Sequence, residues 1–305
     1  MVHVRPFDAR DTDAVVARVR AQLLDAHVRE PFINDAFDEV DFARALRAQH
    51  APLWVALRGG RIVGHLYGAI LDDARGTSAW VGPDGASFDD LDVLAALYAQ
   101  AGSHWFQRGA HEHWVWIANR DDAFFPWSEL GFAKEHRRGV VRLRDVEPVA
   151  LSTGYRVRTG GVGDLDVARE LDAVLDEAQR EGPNFFFAEA APGEGITDTL
   201  EDPEVRLHVL ERDDQVLAQC VTYPLDPRRG SFDGVVHLSG VVVRDEFRRR
   251  GLGAALVTQV LATLRDEDAR YVEVHWRVAN RDAQRFWLER GFHPTFTRLR
   301  RVLDV

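Results

Sequence analysis

Hydrophobic positions along the chain repeat with two periods, and the change from one period to the other marks its elements. The clearest change lies in Val241–Leu264. Val241, Val242 and Val243 end an apolar run, a charged turn follows, and Ala255, Leu256, Val260, Leu261 and Leu264 then recur at three- and four-residue steps. That pattern predicts a strand, a turn and an amphipathic helix. Tyr271–Trp276 alternates as a strand. Asn280 then precedes a short helix holding Ala283, Phe286 and Trp287; Gly291 stops it and Phe292 opens a last strand. Trp54–Gly68 and His208–Tyr223 read as hairpins turning at Gly59-Gly60 and at Asp213-Asp214.

The first half of the chain repeats the second. Val4-Arg5 with Asp11 and Asp13 matches Val157-Arg158 with Asp164 and Asp166 at a constant offset of 153. In both, a short strand leads into a helix with an acidic start, as the helix dipole favours. The two hairpins match each other. Trp114–Phe132 matches Trp276–Phe292 around Ala118-Asn119-Arg120-Asp121 and Ala279-Asn280-Arg281-Asp282, and both stretches end in Gly-Phe. A period of about 155 residues predicts duplicated domains rather than a solenoid. The boundary is expected at Glu147–Thr153, where Pro148 and small residues break the pattern, giving domains at 1–147 and 153–305.

The turn after Val243 carries the candidate chemistry. Arg248-Arg249-Arg250-Gly251-Leu252-Gly253-Ala254 opens the amphipathic helix. A glycine-rich helix start leaves backbone N–H groups without intrahelical partners at the positive end of the helix dipole, and this suits phosphate. The three arginines add cationic charge beside it. The spacing is neither G-x-x-x-x-G-K-[ST] nor G-x-G-x-x-G. It is R-x-x-G-x-G, directly after a strand and directly before a helix.

In that turn, followed about 30 residues later by strand, Asn280, short helix with Phe286, and Gly291-Phe292, the sequence resembles the GNAT superfamily of acyl-CoA-dependent N-acetyltransferases. The resemblance implies two tandem α/β domains, each with a mixed sheet and flanking helices. It makes acetyl-CoA the cosubstrate and a small-molecule or peptide amine the acceptor. Arg248, Arg249, Arg250, Gly251, Leu252, Gly253 and Ala254 would cradle the pyrophosphate. Backbone N–H groups at Val241, Val242 and Val243 would hold the thioester carbonyl, and Asn280 and Phe286 would line the pantetheine arm. The family helix usually carries Phe-Tyr, with the tyrosine protonating the departing thiolate. Phe286-Trp287 stands there instead, and an indole N–H does not serve as that acid.

Acetyl transfer to an amine needs a base, because an amine with a pKa near 10.4 is protonated at pH 7 and its deprotonation costs roughly 4–5 kcal/mol. His237 lies on the strand before the turn, with an intrinsic pKa of about 6.5. Period-two alternation places His237, Ser239, Val241 and Val243 on one face, with Ser239 as the hydrogen-bonding neighbour of the base. Gly240 marks a bulge or a close ligand approach.

The first copy lacks the turn. Val81–Leu94 has misplaced glycines, no arginine, and Asp84, Asp89, Asp90 and Asp92, which would repel a pyrophosphate. The N-terminal copy is therefore expected to be degenerate. It would complete the acceptor pocket or pack against the active copy. The alternatives are a non-catalytic acyl-CoA sensor, which the missing tyrosine suggests, and a layout resembling the mycothiol synthases, although no motif for that thiol-precursor substrate is present.

Composition narrows the partners. With 38 basic and 49 acidic residues the net charge is −11, which argues against broad nucleic-acid or anionic-membrane binding and favours cationic acceptors. The single cysteine, Cys220, suits a reducing cytosol, and no apolar run is long enough for a membrane span. A cytoplasmic monomer or homodimer is expected, with no metal. His111-Glu112-His113 lacks a third ligand and reads as ordinary strand side chains. Glu273 and His275 share one face of their strand, toward acceptor or solvent, and Asn184-Phe185-Phe186-Phe187 is either an aromatic acceptor wall or core cover.

Overall fold

The computed structural model describes residues 1–48, 52–73, 76–147, 149–185, 193, 195–226 and 229–303. It divides into two compact units. Unit 1 comprises Met1–Arg137, Arg228–Ser231 and Thr295–Val305, and unit 2 comprises Arg138–Pro227 and Phe232–Pro294. The units are not the contiguous halves 1–147 and 153–305. The strand that ends each sequence copy lies, for most or half of its length, in the unit of the other copy. An alternating pattern after Gly-Phe specifies a strand without specifying which sheet receives it, so the exchange leaves no trace in the sequence.

The elements in chain order are β1 (His3–Pro6), α1 (Thr12–Arg29), α2 (Glu39–Ala48), β2 (Leu53–Arg58), β3 (Arg61–Tyr67), β4 (Ala69–Asp73), β5 (Gly76–Val81), β6 (Ala86–Phe88), α3 (Leu91–Phe106), β7 (Glu112–Ala118), α4 (Asp121–Ser128) and β8 (Ala133–Arg142). They continue with β9 (Tyr155–Thr159), α5 (Leu165–Arg180), α6 (Gly195–Glu201), β10 (Arg206–Arg212), β11 (Gln215–Pro224), β12 (Val236–Val243), α7 (Leu252–Asp266), β13 (Tyr271–Arg277), α8 (Arg281–Leu288) and β14 (His293–Val302). In unit 1 the strands run β1-β2-β3-β6 and β4-β5-β7-β14; in unit 2 they run β8-β13-β12-β11-β10-β9.

Each sheet buries both faces under helices. In unit 2, α7 places Leu252, Leu256, Val260 and Leu261 against Leu238, Val272 and Val274, while α5 places Ala168 and Leu171 against Val209, Val221 and Val242 on the opposite face. In unit 1, α3 plays the part of α7 and α1 that of α5. Burial of such apolar side chains, at about 25 cal/mol per Å², is the main force holding each unit together.

The repeat has a physical content that alternation alone does not reveal. Asp11 accepts both guanidinium N–H groups of Arg5, at 2.6 and 2.8 Å, and the backbone N–H of Asp8. Asp164 does the same with Arg158, at 2.7 and 2.8 Å, and with Gly161 N–H. A forked ion pair thus ties the first strand of each copy to the start of its first helix. The hairpin turns also agree: Gly59 and Gly60 have φ of +59° and +80°, and Asp213 and Asp214 have +50° and +60°. Positive φ at both central residues is the turn type whose twist matches a two-residue hairpin.

Candidate active site

The site in unit 2 grows from the way β12 meets its neighbours. β12 runs antiparallel to β11, but the register shifts: Gln219 faces Val242 and Val221 faces Ser239. One residue of β11 therefore opposes two of β12, Gly240 and Val241, and Gly240 takes φ of +63°. This is a bulge at the glycine the sequence marked. It also corrects one expectation. A bulge of one residue reverses the alternation, so His237 and Ser239 share the face of Val221, toward α5, whereas Val241 and Val243 pack on the α7 side. The four residues do not line one face.

On its other edge β12 is parallel to β13, and the register joins only Val236 to Val272 and His237 to Glu273. Past that point, among the described residues, no further pairing joins the two strands. The β13-facing backbone groups of Ser239–Val243 thus border an opening, and His237 stands at its apex.

Three groups meet there. Glu273 is fully buried, His237 is 6% exposed and His275 lies at the rim. His275 Nε2 is 2.9 Å from Glu273 Oε1, and the ring centroids of His237 and His275 are 4.9 Å apart. The ring of Tyr223 lies 5.0 Å from His237 on its other side. Arg138 of β8, also buried, holds its guanidinium 3.6 Å from Glu273 Oε2. Alternation hints at Glu273 and His275, but no local signal points to Arg138, which lies 135 positions before Glu273. Elsewhere in unit 2, Asp172 of α5 carries a perturbed carboxyl. Burial, with Asp176 one turn further on, pushes its carboxyl up to about 6.

At the far end of β12 the turn is built as a backbone cradle. Gly251 occupies the position before α7 with φ of +79° and ψ of 0°, and no side chain caps the helix. The first-turn N–H groups of Leu252, Gly253 and Ala254 therefore have no capping partner. Arg248, Arg249 and Arg250 are exposed around them; Arg248 pairs with Asp245 at 2.9 Å and Arg250 lies over Phe247. A side chain on Gly253 would meet Val243 at 3.4 Å and Phe286 at 3.6 Å, so the strand end, helix start and α8 converge. Asn280 caps α8, accepting from Ala283 N–H at 2.9 Å. Trp287 is buried against Phe292, at 5.0 Å and 73°, and so belongs to the core rather than the opening.

The other singled-out residues do less. His113 is buried, bonded to Tyr98 and Ala110, and its pKa is pushed down to about 4 by burial, so it is a neutral core histidine. Glu112 pairs with Arg300. Phe185 is exposed, and Phe186 and Phe187, like Pro148, lie outside the described residues. Arg298 pairs with Glu135 and lies over Trp114.

Unit 1 builds the same corner differently. The counterpart of β12 is cut into β5, parallel to β7, and β6, paired with β3, by a turn in which Gly85 N–H reaches Gly82 O at 2.9 Å. Asp90 caps α3 with its own carboxylate, on Val93 N–H at 3.0 Å, and pairs with Arg58; Asp89 pairs with Arg18. A cavity of about 590 Å³ remains at this corner, lined by Phe88, Trp116, Trp127, Arg18 and these two aspartates among others.

The corner in unit 2 thus consists of a bulged strand that parts from its parallel neighbour and runs into an uncapped glycine turn and a helix. The chain matches, over residues 171–292, the family described as "Acetyltransferase (GNAT) family", a fold that serves acyl transfer from acyl-CoA. Its architecture is that of tandem GNAT proteins. A GCN5-related N-acetyltransferase from Sphaerobacter thermophilus superposes with a TM-score of 0.63 at 18% identity, covering 100% of this chain and 96% of that one. A tandem GNAT protein from the clavulanic acid biosynthesis pathway gives 0.53 at 16%, covering 100% and 99%. A glucosamine N-acetyltransferase region of a fungal multi-domain β-N-acetylglucosaminidase gives 0.54 at 16%, covering 98% of this chain and 38% of that one. No curated protein matches the sequence. Among the described residues, no helix is long and apolar enough to cross a membrane.

Proposed function

We propose that unit 2 is an N-acetyltransferase that moves the acetyl group of acetyl-CoA to a primary amine, and that the N-terminal copy has lost cofactor binding. One observation carries the reading: the uncapped Gly251–Ala254 turn, ringed by arginines, lies at the end of a bulged strand that parts from β13 just after His237.

Each part then has a role. The N–H groups of the turn, with Arg248–Arg250 around them, take the pyrophosphate. Asn280 and Phe286 border the pantetheine arm. The bulge at Gly240 frees backbone N–H groups of Val241–Val243 to bind the thioester oxygen, and such donors strengthen as that oxygen becomes an anion. His237 accepts the proton as the amine nitrogen attacks the carbonyl carbon, with Ser239 beside it on the same face. The C–S bond then breaks, and solvent protonates the thiolate, because Trp287 is not placed to do so. A net charge of −11 favours a cationic acceptor. The cytoplasm, which supplies acetyl-CoA and keeps Cys220 reduced, is the compartment this reading assigns.

The test is release of free CoA thiol from acetyl-CoA, followed with a panel of primary amines. Turnover with at least one amine, lost in His237→Gln, supports the enzyme. Tight acetyl-CoA binding without turnover on any amine would favour the sensor alternative.

A further inference from the structure

We infer that His237, Glu273 and His275 form a transition-metal site, and that an ion bound there inhibits the acyl transfer. The second half rests on the reading of His237 as the base; the first does not.

The backbone places the three ligands together. His237 and Glu273 are direct partners on parallel strands, so their side chains leave adjacent positions on one face, and His275 follows two residues on. One ring nitrogen from each histidine and one carboxylate oxygen all lie within 4.8 Å of one another. His275 Nε2 and Glu273 Oε1 are already 2.9 Å apart. Two ligands bonded at about 2.0–2.2 Å to one tetrahedral ion sit about 3.3–3.6 Å apart, so the pair needs to open by only about half an ångström. The proton now between them is what the ion replaces, and a turn of the His237 ring closes the third side.

The donor set decides the ion. Two imidazoles and one carboxylate suit Zn²⁺, Co²⁺, Fe²⁺ or Ni²⁺; Mg²⁺ and Ca²⁺ want oxygen alone. Glu273 is fully buried and His237 nearly so, which strengthens the attraction for a cation, while His275 at the rim gives it a way in. Arg138 works against the ion. Its guanidinium lies 3.6 Å from Oε2, so it leaves Oε1 to the metal but lowers the affinity below that of a structural zinc site. The site therefore suits reversible binding. An ion on the His237 lone pair removes the base, so metal and acceptor amine exclude each other in function. The cluster contrasts with His111-Glu112-His113, the only histidine pair that spacing singled out, whose His113 is committed to Tyr98 and Ala110.

The test uses tag-free, chelator-treated protein with no CoA and no amine. Co²⁺ is titrated by visible absorption, and Zn²⁺ by competition with a chromophoric chelator. One ion per chain with a dissociation constant of about 10 µM or tighter, weakened at least about tenfold in His275→Gln, is the expected result. His237→Gln should weaken it likewise. No saturable binding up to about 1 mM, or binding that His275→Gln leaves unchanged, overturns the site. Should metal bind as expected while acetyl transfer runs equally fast with Zn²⁺ and with chelator, the inhibitory half is overturned. An absence of transfer under every condition refutes the enzyme reading and leaves the binding result standing.

Discussion

The two copies share a strand, a turn and a helix, and differ in what occupies the helix start. In unit 2 the residue before α7 is Gly251, which has no side chain, so the first-turn N–H groups are left for a ligand. In unit 1 the same place belongs to Asp90, whose carboxylate accepts from Val93 N–H and is neutralised by Arg58. The helix dipole is thus satisfied internally in one copy and open in the other. The strand before it differs in parallel. β12 bulges at Gly240 and stays whole, whereas its counterpart is cut in two at Gly82–Gly85. The two copies share a frame, held by Arg5–Asp11 and Arg158–Asp164 and by the paired aromatics Trp127–Phe132 and Trp287–Phe292, and differ in whether a side chain closes the helix start.

The comparison breaks most visibly at His237, the proposed base. His237→Gln should slow acetyl transfer at pH 7 by about 10²–10⁴-fold while leaving acetyl-CoA affinity unchanged, as single-turnover kinetics beside a binding titration will read. Next in size is Gly253→Glu. It sets a carboxylate among the open N–H groups and against Val243 and Phe286, and should weaken acetyl-CoA by about a hundredfold, roughly 2.8 kcal/mol.

The frame itself should respond more gently. Asp164→Ala leaves Arg158 and Gly161 N–H without their acceptor and should cost about 1–3 kcal/mol in denaturant unfolding. The pH dependence has a definite sign. Arg158 holds the Asp164 carboxyl down at about 2, below its ordinary 3.8, so its contribution is present above pH 3.8 and is lost as pH falls through 2. The wild-type and Asp164→Ala unfolding midpoints should therefore converge across that window. Asp172→Asn is the smallest change and has the opposite sign. Burial and Asp176 raise that carboxyl to about 6, so the folded state resists its ionisation. The asparagine should stabilise by less than about 1 kcal/mol at pH 7.5 and by nothing at pH 3, as thermal melts at the two pH values will report.

Much of this was legible in the sequence, because it rests on local signals. Gly251 and Gly291 are glycines at positive φ, Asn280 is a helix cap, and the two-residue turns of both hairpins, Gly59-Gly60 and Asp213-Asp214, sit at positive φ where the sequence marked them. What was not legible depends on partners distant in sequence. Alternation counts residues, so it carried Val241 and Val243 onto the face of His237; the bulge, set by β11, moved them off it. Arg138 reaches Glu273 only because the first copy's last strand enters unit 2, and that exchange has no signature in a strand pattern. Trp287 read as a lost acid because position suggested it; packing against Phe292 makes it core, as Trp127 is in unit 1.

Isothermal titration of the whole chain with acetyl-CoA tests the central difference between the copies most directly. One site per chain, abolished by Gly253→Glu, is the predicted result. Two sites, or one that survives Gly253→Glu, would contradict it and place a cofactor in the copy whose helix Asp90 closes.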